Sequence, residues 1–225
     1  MEELQKKLGY TFKDPEKLIH ALRHSSYANE QHMKKEDSNE RLEFLGDAVL
    51  ELVSSEYLYQ TYPEEPEGHM TKMRAACVCE KALAYCARDI DLGEKLFLGK
   101  GAEAGGGRNR DSVTSDALEA VFGAVYLDGG FEAAKGVIRR IVLKDLEDKC
   151  LFYDSKTVLQ EMVQGAGKGN VSYRLKNATG PDHRRVFEME VLLGEDVLGT
   201  GTGSSKKQAE MSAAYKAIRK ISNKQ

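Results

Sequence analysis

Apolar residues recur at the three- and four-residue spacing of an amphipathic helix through about the first 150 residues of the chain. The spacing predicts a short helix in EELQKKL and a second helix that begins after Asp14. Asp14 is suited to cap that helix, and Pro15 is suited to its first position because proline lacks the N–H that a helix start leaves unbonded. No alternating strand pattern competes, so we expect an all-α first domain.

Further helices are predicted in NERLEFLGDAVLE, after the turn at 63–68, in EKALAYCARDI, and over residues 113–127 and 131–148. A glycine-rich segment, GKGAEAGGGRNR, separates the third of these from the fourth. It lacks the G-K-[ST] ending of a phosphate-binding loop. We therefore interpret it as a flexible connection.

The pattern changes after Leu151. DSKTVLQEMVQGA reads as a helix, and the runs VSYRLKNAT, RRVFEMEVLL and DVLGTGTG read as strands. A last helix is predicted from Ser204 to Ile221. The order α-β-β-β-α indicates a compact α+β module, in which two helices cover a three-stranded antiparallel sheet. We predict an all-α domain over residues 1–148, a linker over 149–153 and an α+β domain over 154–225.

Composition and charge narrow the class of protein. The 225 residues include no apolar run that could cross a bilayer, and the opening segment MEELQKKLGY has none of the marks of a secretory signal. We expect a cytoplasmic protein without a membrane partner.

The four cysteines, Cys77, Cys79, Cys86 and Cys150, show no C-x-x-C spacing, which favours reduced structural thiols over a zinc site.

The net charge of −3 conceals an asymmetry between the two parts of the chain. From Asp154 onward there are 12 Lys+Arg against 8 Asp+Glu, so the larger first part is acidic. A basic C-terminal part indicates an anionic partner, whereas the acidic part would repel that partner unless cations intervene.

The helix in NERLEFLGDAVLE carries an unusual stripe of acids. Glu40, Glu43, Asp47 and Glu51 are spaced by three, four and four residues and so share one face, while apolar residues surround the remaining circumference. The pattern predicts a largely buried helix. Burying unpaired carboxylates costs several kcal/mol each.

A second acidic pair, Asp116 and Glu119, lies three residues apart in SDALEAVFGAVYLDGG, again among apolar residues. Two buried helices with paired acids could face one another and hold Mg²⁺ or Mn²⁺ through oxygen ligands. The alternative is that the acids cap helices or pair with distant lysines. Asp37 and Glu40 resemble a capping box, so both interpretations stay open for Glu40, and for Glu51 we favour a structural role.

His20 and His24 have an i, i+4 spacing that suits a metal, but no third ligand accompanies them. We therefore predict packing or hydrogen bonding of these two histidines at helix ends.

In the last helix, Ser204 and Ser205 lie at the start and Lys206 and Lys207 in the first turn. Cations there oppose the helix dipole, which is explained if an external polyanion compensates.

NERLEFLGDAVLE resembles the signature of bacterial ribonuclease III, and DALEAVFGAVYLDGG resembles that family's second acidic motif. The similarity extends through ALRHSSY, GHMTKMRAACV, DSKTVLQEMVQG, GPDHRRVFEMEV and GTGTGSSKKQAE, and so covers essentially the whole chain. The resemblance implies an all-α nuclease and dimerisation domain followed by a double-stranded RNA-binding domain.

The resemblance also implies roles for individual residues. Glu43, Asp47, Asp116 and Glu119 match the metal-binding carboxylates, of which Asp47 and Glu119 are assigned as catalytic, and Glu40 and Glu67 match auxiliary acids. Phe44 matches an aromatic residue that enters a socket on the partner subunit of a homodimer. The positions that match RNA contacts are Thr157, Gln160, Gln164, His183, Lys206 and Lys207.

The implied activity is hydrolysis of double-stranded RNA with Mg²⁺, or with Mn²⁺ as a substitute. Products would carry 5′ phosphates and short 3′ overhangs, and the substrates would be ribosomal RNA precursors and structured messenger RNAs. The alternative function is a non-cleaving regulator that binds double-stranded RNA. The presence of all four central acids favours the enzyme.

Overall fold

The structure is a computed structural model that describes residues 1–144, 146–181 and 185–222. It divides into two compact units, Met1–Leu146 and Glu147–Gln225. The first unit is helical and the second has the order α-β-β-β-α, which confirms the predicted fold class. No helix in the described ranges combines the length and apolarity that a membrane span requires.

The first unit contains nine α-helices within the described residues. They are α1 (Glu2–Leu8), α2 (Pro15–Ala21), α3 (Ser25–Glu30), α4 (Glu40–Thr61), α5 (Glu67–Val78), α6 (Glu80–Asp89), α7 (Lys100–Ala104), α8 (Asp111–Gly129) and α9 (Phe131–Ile141). As predicted, Asp14 caps α2 by accepting a hydrogen bond from the Glu16 N–H, and Pro15 takes the first helical position.

Helix α8 forms the centre of the first unit. From Val113 to Val125, every side chain except Asp116 and Glu119 is buried. Helices α2, α4, α6 and α9 all pack against α8. Because the rest of this stretch is apolar or small, the two acids are held in place by a helix that cannot easily rotate.

The structure corrects three sequence-based expectations. The glycine-rich segment is not a flexible connection: it forms α7 and a 3-10 helix, and the Arg108 guanidinium anchors it to the carbonyls of Gly93 and Leu96. Helix α9 ends at Ile141 instead of 148, where the Leu143 N–H bonds the Ile138 carbonyl. The predicted linker, residues 149–153, lies within a helix that runs from Leu146 to Gly165, and this segment contains no glycine or proline before its last residue.

The second unit places two helices on one face of a three-stranded sheet. Its elements are α10 (Leu146–Gly165), β1 (Val171–Thr179), β2 (Val186–Leu193), β3 (Asp196–Gly203) and α11 (Lys206–Ser222). The strands are antiparallel in the order β1-β2-β3, with a register irregularity in each pair, at Leu175/Asn177 and at Val191/Leu192.

The core of the second unit lies between the helices and the sheet. Leu159 and Val163 of α10 meet Val191 of β2 and the alanine-rich face of α11. At Gly201 of β3 an added methyl group would overlap the α11 backbone at Ala213. The absence of a side chain there lets α11 lie directly on the strand.

Asp128, near the end of α8, fixes the segment that leads into α2. Its carboxylate, 1% exposed, accepts hydrogen bonds from the Tyr10 hydroxyl and the Lys13 N–H, both at 2.7 Å, and from the Asp14 N–H at 3.0 Å. Lys17 approaches at 3.3 Å. Burial alone would raise the pKa of Asp128, but these hydrogen bonds outweigh it and lower the pKa to about 2.

Replacing Asp128 by Asn keeps the shape of the side chain but removes the charge that these donors satisfy. We expect the variant to lose about 3 kcal/mol of unfolding free energy at neutral pH. Because the folded pKa lies below the ordinary value of 3.8, this stabilisation is complete above pH 3.8 and is lost as the pH falls through about 2. Urea unfolding at pH 7 and pH 3 measures the difference.

The matched control is Asp91→Asn, which removes a carboxylate from an exposed ion pair with Lys7. A surface pair contributes little, so this variant should unfold almost as the wild type does. Equal effects of the two substitutions would contradict the role given to Asp128.

Candidate active site and nucleic-acid interface

Two glycines bring α4 and α8 into direct backbone contact. A methyl group added at Gly46 would overlap the carbonyl oxygen of Glu119, and one added at Gly123 would overlap the carbonyl oxygen of Leu42. The two helices therefore cross with no side chain between them at this point. The acids on either side of the crossing are brought together as a result.

Three of the four predicted ligands meet at this crossing. Glu43 of α4 and Asp116 and Glu119 of α8 each offer a carboxylate oxygen, and these oxygens lie within 4.8 Å of one another. All three residues are partly buried. Asp47, the fourth predicted ligand, is exposed and lies outside this group, although its charge raises the pKa of both glutamates.

Burial and neighbouring carboxylates raise the pKa of both glutamates in the cluster. Burial is the main cause of a pKa near 8 for Glu119, and the negative charges of Asp47, Asp116 and Glu43 add to it. Burial followed by the charges of Asp116 and Glu40 also raises the pKa of Glu43. The site is therefore electrostatically strained whenever all its carboxyl groups are ionised.

Nothing among the described residues neutralises this cluster through an ion pair, since none of the four acids contacts a lysine or arginine within 4 Å in the described ranges. Their donor set consists of oxygen atoms only. Closely spaced carboxylate oxygens suit a hard divalent cation and do not suit a metal that prefers thiolate or imidazole. The residues therefore fit the class of metal that the sequence predicts.

The remaining acids of the α4 stripe have other surroundings. Glu51 pairs with Arg74 of α5 at 2.8 Å, which supports the structural role favoured for it. Glu40 is exposed, and its charge contributes to the raised pKa of Glu43. The resemblance of Asp37 and Glu40 to a capping box was misleading, because the Asp37 carboxylate accepts from the Lys34 N–H while α4 begins after Asn39.

His20 and His24 make the hydrogen bonds at helix ends that the sequence predicts. His20 Nε2 lies 2.9 Å from the Ser38 carbonyl oxygen, and His24 Nδ1 caps α3 by accepting from the Ser26 N–H at 3.1 Å. Burial lowers the pKa of His24. Cys77, Cys79 and Cys86 are free thiols, and the side chain of Cys150 lies outside the described residues.

One apolar face of α4 remains uncovered. The Phe44 ring is 82% exposed, and Leu52 and Tyr59 farther along the helix are also exposed, so α4 is less buried than its sequence predicts. Near its C-terminal half, α4 and α5 line a pocket of about 450 Å³. Glu67 lies in this pocket and accepts a hydrogen bond from the Thr71 hydroxyl at 2.9 Å, so it is separate from the acidic cluster.

The predicted RNA contacts in the second unit are solvent-accessible. Thr157, Gln160 and Gln164 lie on one face of α10 at positions i, i+3 and i+7. Lys206 and Lys207 are exposed in the first turn of α11. His183 lies outside the described residues, so its role stays a prediction.

Two residues with clear roles in the geometry were missed by sequence reasoning. Arg74 neutralises Glu51 from a separate helix, and Asn170 bonds both Gln160 and Gln164 from the turn before β1. Neither has a sequence signal, because helical periodicity describes neighbours on one element and says nothing about contacts between elements.

Comparison with known families divides the chain in the same order. A Ribonuclease-III-like family matches residues 14–146, and a double-stranded RNA binding motif family matches residues 155–221. Together they account for most of the chain.

Individual relatives are similar over nearly the whole length. A Ribonuclease 3 of Caldanaerobacter subterraneus subsp. tengcongensis is 49% identical over 225 residues, covering 97% of this chain and 96% of the relative. A Ribonuclease 3 of Bacillus cereus (strain AH187) is 46% identical over 219 residues, covering 96% and 89%. The solved nuclease domain of ribonuclease III from Campylobacter jejuni is 46% identical, covering 64% of this chain and 96% of that domain, with a TM-score of 0.59.

The glycine crossing yields a stability prediction with an internal control. Gly123→Ala forces the added methyl group onto the α4 backbone, so we expect a loss of about 3 kcal/mol or more, at the upper end of overpacking costs. Gly136→Ala, at an exposed position of α9, meets nothing within 4 Å and should stabilise the protein by about 0.5 to 1 kcal/mol. Thermal unfolding of both variants measures the two changes.

The opposite signs expected for one kind of substitution make this a sharp test. A Gly123→Ala variant as stable as the wild type would show that the helices can separate without cost. The positions of the carboxylates would then not depend on the crossing.

Proposed function

The chain belongs to the ribonuclease III family, and on that premise we propose that it is a divalent-metal-dependent endonuclease for double-stranded RNA. The observation that carries the proposal is the meeting of Glu43, Asp116 and Glu119 at the α4–α8 crossing, with oxygens within 4.8 Å of one another. Such a cluster suits a cation better than it suits a purely structural role. The second unit, which matches a double-stranded RNA binding motif, supports the substrate class.

We assign the metal-binding role to Glu43, Asp47, Asp116 and Glu119, with Asp47 and Glu119 as catalytic residues. Mg²⁺ is the proposed ion, and Mn²⁺ is a substitute because both prefer carboxylate oxygen. A bound divalent cation supplies Lewis acidity toward a phosphodiester and a water molecule of lowered pKa. The expected products carry 5′ phosphates and short 3′ overhangs, as is typical of the family.

The chain's own residues prepare the site for that chemistry. Burial and the neighbouring carboxylates raise the pKa of Glu119 to about 8, so binding a cation at this carboxylate would be linked to loss of its proton. The buried surroundings of α8 hold Asp116 and Glu119 in fixed positions. Glu40, whose charge adds to the site, is proposed as an auxiliary residue near the scissile phosphate, and Glu67 as an acid of the dimer interface.

RNA recognition is assigned to the second unit. Thr157, Gln160 and Gln164 would face the minor groove of an A-form duplex, where 2′-hydroxyls are accessible, and the exposed Lys206 and Lys207 would contact phosphates. His183 is proposed as a contact from the loop before β2. Because the deep major groove of A-form RNA hides base identity, substrate choice would depend mainly on duplex shape.

We propose that the protein acts as a homodimer through its first unit. Phe44 is 82% exposed, which is unusual for a ring that serves no interface, and the pocket between α4 and α5 could receive it from a second copy. The Campylobacter jejuni structure is described as having flexibility in a region involved in dimer formation. We also propose a cytoplasmic location, and ribosomal RNA precursors and structured messenger RNAs as substrates.

Glu119→Gln separates cleavage from binding. The amide preserves the size of the side chain but is a weaker ligand for a hard cation, so we expect single-turnover cleavage of a labelled RNA duplex to fall by at least about a hundredfold. The second unit should retain the duplex with nearly unchanged affinity. Higher Mg²⁺ or added Mn²⁺ should restore a small part of the activity.

The same preparation provides two controls. In the absence of cation, Glu119→Gln should raise the thermal stability, and the gain should grow from pH 5 to pH 8 because ionisation of Glu119 opposes folding over that range. Wild-type cleavage by the variant would remove Glu119 from the site. A wild-type protein that binds the duplex and never cleaves it with Mg²⁺ would instead indicate a non-cleaving regulator.

Phe44→Ala tests the proposed dimer. If the ring is as buried in the interface as a core aromatic residue, its removal should weaken dimerisation by about 3 to 5 kcal/mol. Analytical ultracentrifugation over a range of concentrations measures this change. The control is Tyr85→Ala, which removes another exposed aromatic ring that does not line the pocket. A wild-type protein that sediments as a monomer at micromolar concentration would contradict the proposal.

A further inference from the structure

Two glutamine side chains near the end of α10 both bond the side chain of one asparagine that follows the helix. The Asn170 side-chain oxygen accepts hydrogen bonds from Gln160 Nε2 at 2.8 Å and from Gln164 Nε2 at 3.0 Å. The two glutamines are one turn apart on α10, whereas Asn170 lies in the turn that precedes β1. Asn170, outside the helix, therefore restrains the side chains of both Gln160 and Gln164 on the helix.

The backbone around Asn170 is itself fixed. The turn begins with bonds from the Gly167 N–H to the Gln164 carbonyl, at 2.9 Å, and from the Lys168 N–H to the Val163 carbonyl, at 3.0 Å. Gly167 and Gly169 both have positive φ, 68° and 90°, a conformation that glycine adopts without strain. The turn thus ends the helix in a defined geometry and directs Asn170 back toward the glutamines.

A second contact fixes the orientation of Gln160. The Val171 N–H donates to Gln160 Oε1 at 3.1 Å, while Gln160 Nε2 donates to Asn170. Both ends of this amide are therefore bound, and the group cannot flip by 180° without losing both hydrogen bonds. Gln164 bonds Asn170 through its side-chain nitrogen, and no other described residue bonds its amide.

We propose that Asn170 is a positioning residue that presents Gln160 and Gln164 to the ribose hydroxyls of a duplex. This inference rests on the proposed binding of double-stranded RNA by the second unit. Glutamine side chains have many rotamers, and ordering each one on binding lowers affinity. Asn170 orders both of them before RNA arrives.

The fixed amides also have a defined chemical preference. Each glutamine keeps one N–H for donation, and the Gln164 carbonyl oxygen, which no described residue bonds, can accept. A 2′-hydroxyl is both donor and acceptor, and it distinguishes RNA from DNA at a given position. Asn170 should therefore influence the discrimination between RNA and DNA more than it influences attraction to phosphate.

The test compares binding of the full chain to an RNA duplex and to an RNA–DNA hybrid of the same sequence, without divalent cation so that the strands stay intact. Asn170→Ala should weaken binding of the RNA duplex by about tenfold, as expected when two side chains lose their order. The loss on the hybrid should be smaller, so the affinity ratio falls. The dependence of affinity on salt should stay unchanged, because phosphate contacts are not altered.

Two further variants separate positioning from other causes. Asn170→Asp keeps an oxygen that accepts from both glutamines, so it should retain the affinity ratio while its added charge weakens binding to both duplexes. Ser172→Ala is the matched control: Ser172 is exposed, and Val171 and Tyr173 on either side of it pack toward the helices, so it lies on the opposite face of the sheet. It should leave affinity and ratio unchanged.

A double-mutant cycle shows whether Asn170 acts through the glutamines. When Gln160 and Gln164 are both replaced by Ala, adding Asn170→Ala should cause no further change. An additive loss would overturn the inference, as would an Asn170→Ala protein with wild-type affinity ratio. Where Asn170→Ala does not fold, Asn170→Ser takes its place, since serine suits a turn but is too short to bridge both amides.

The wild-type protein distinguishes the inference from its premise. If the wild type does not bind the RNA duplex, the proposed binding of double-stranded RNA fails before Asn170 is considered, and if it binds duplex and hybrid equally, the inference is overturned. If the wild type has the preference and the Asn170 variants keep it, only the positioning role is wrong.

Discussion

The backbone contact between α4 and α8 is the constraint on which the first unit depends. Side chains normally separate packed helices, but Gly46 and Gly123 remove that separation at one crossing. Glu43 of α4, which precedes Gly46, and Asp116 and Glu119 of α8, which precede Gly123, are then close enough to share a ligand. Between Val113 and Val125 the other side chains of α8 are buried, so this helix cannot easily move aside to relieve the repulsion between the acids. The acidic cluster is therefore built into the packing of the core and does not lie on an adaptable surface.

This arrangement makes the folded protein sensitive to what occupies the cluster. Without a cation, the raised pKa of Glu119 means that its ionisation opposes folding. A ligand that binds only the folded state adds stability that grows with the logarithm of its concentration above its Kd. If the proposed cation binds these carboxylates, it stabilises the folded protein through the same side chains whose ionisation otherwise opposes folding.

The sequence predicts most local structure and part of the site. Strand 171–179 has its predicted bounds because alternating apolar residues and a following glycine act locally, and Asp14 caps α2 through an equally local contact. Strand 196–203 also has its predicted bounds. The acidic spacings on α4 and α8 indicate the cluster, although the crossing that unites them depends on Gly46 and Gly123, whose contacts are between helices. The glycine-rich segment misled because Arg108 fixes it through distant carbonyls. Asn170 could not be found because its partners are brought near it only by the turn after α10.

The register irregularities of the small sheet affect whether sheets of neighbouring copies can pair edge to edge. Both outer strands, β1 and β3, pair with β2 through a ladder that shifts once along its length, at Leu175/Asn177 and at Val191/Leu192. Such shifts bend and twist a strand, and a bent edge is a poor template for another sheet. Many copies crowded along one long duplex would bring these edges close together. The bulges would then protect against edge-to-edge aggregation under the conditions in which such a protein is most concentrated.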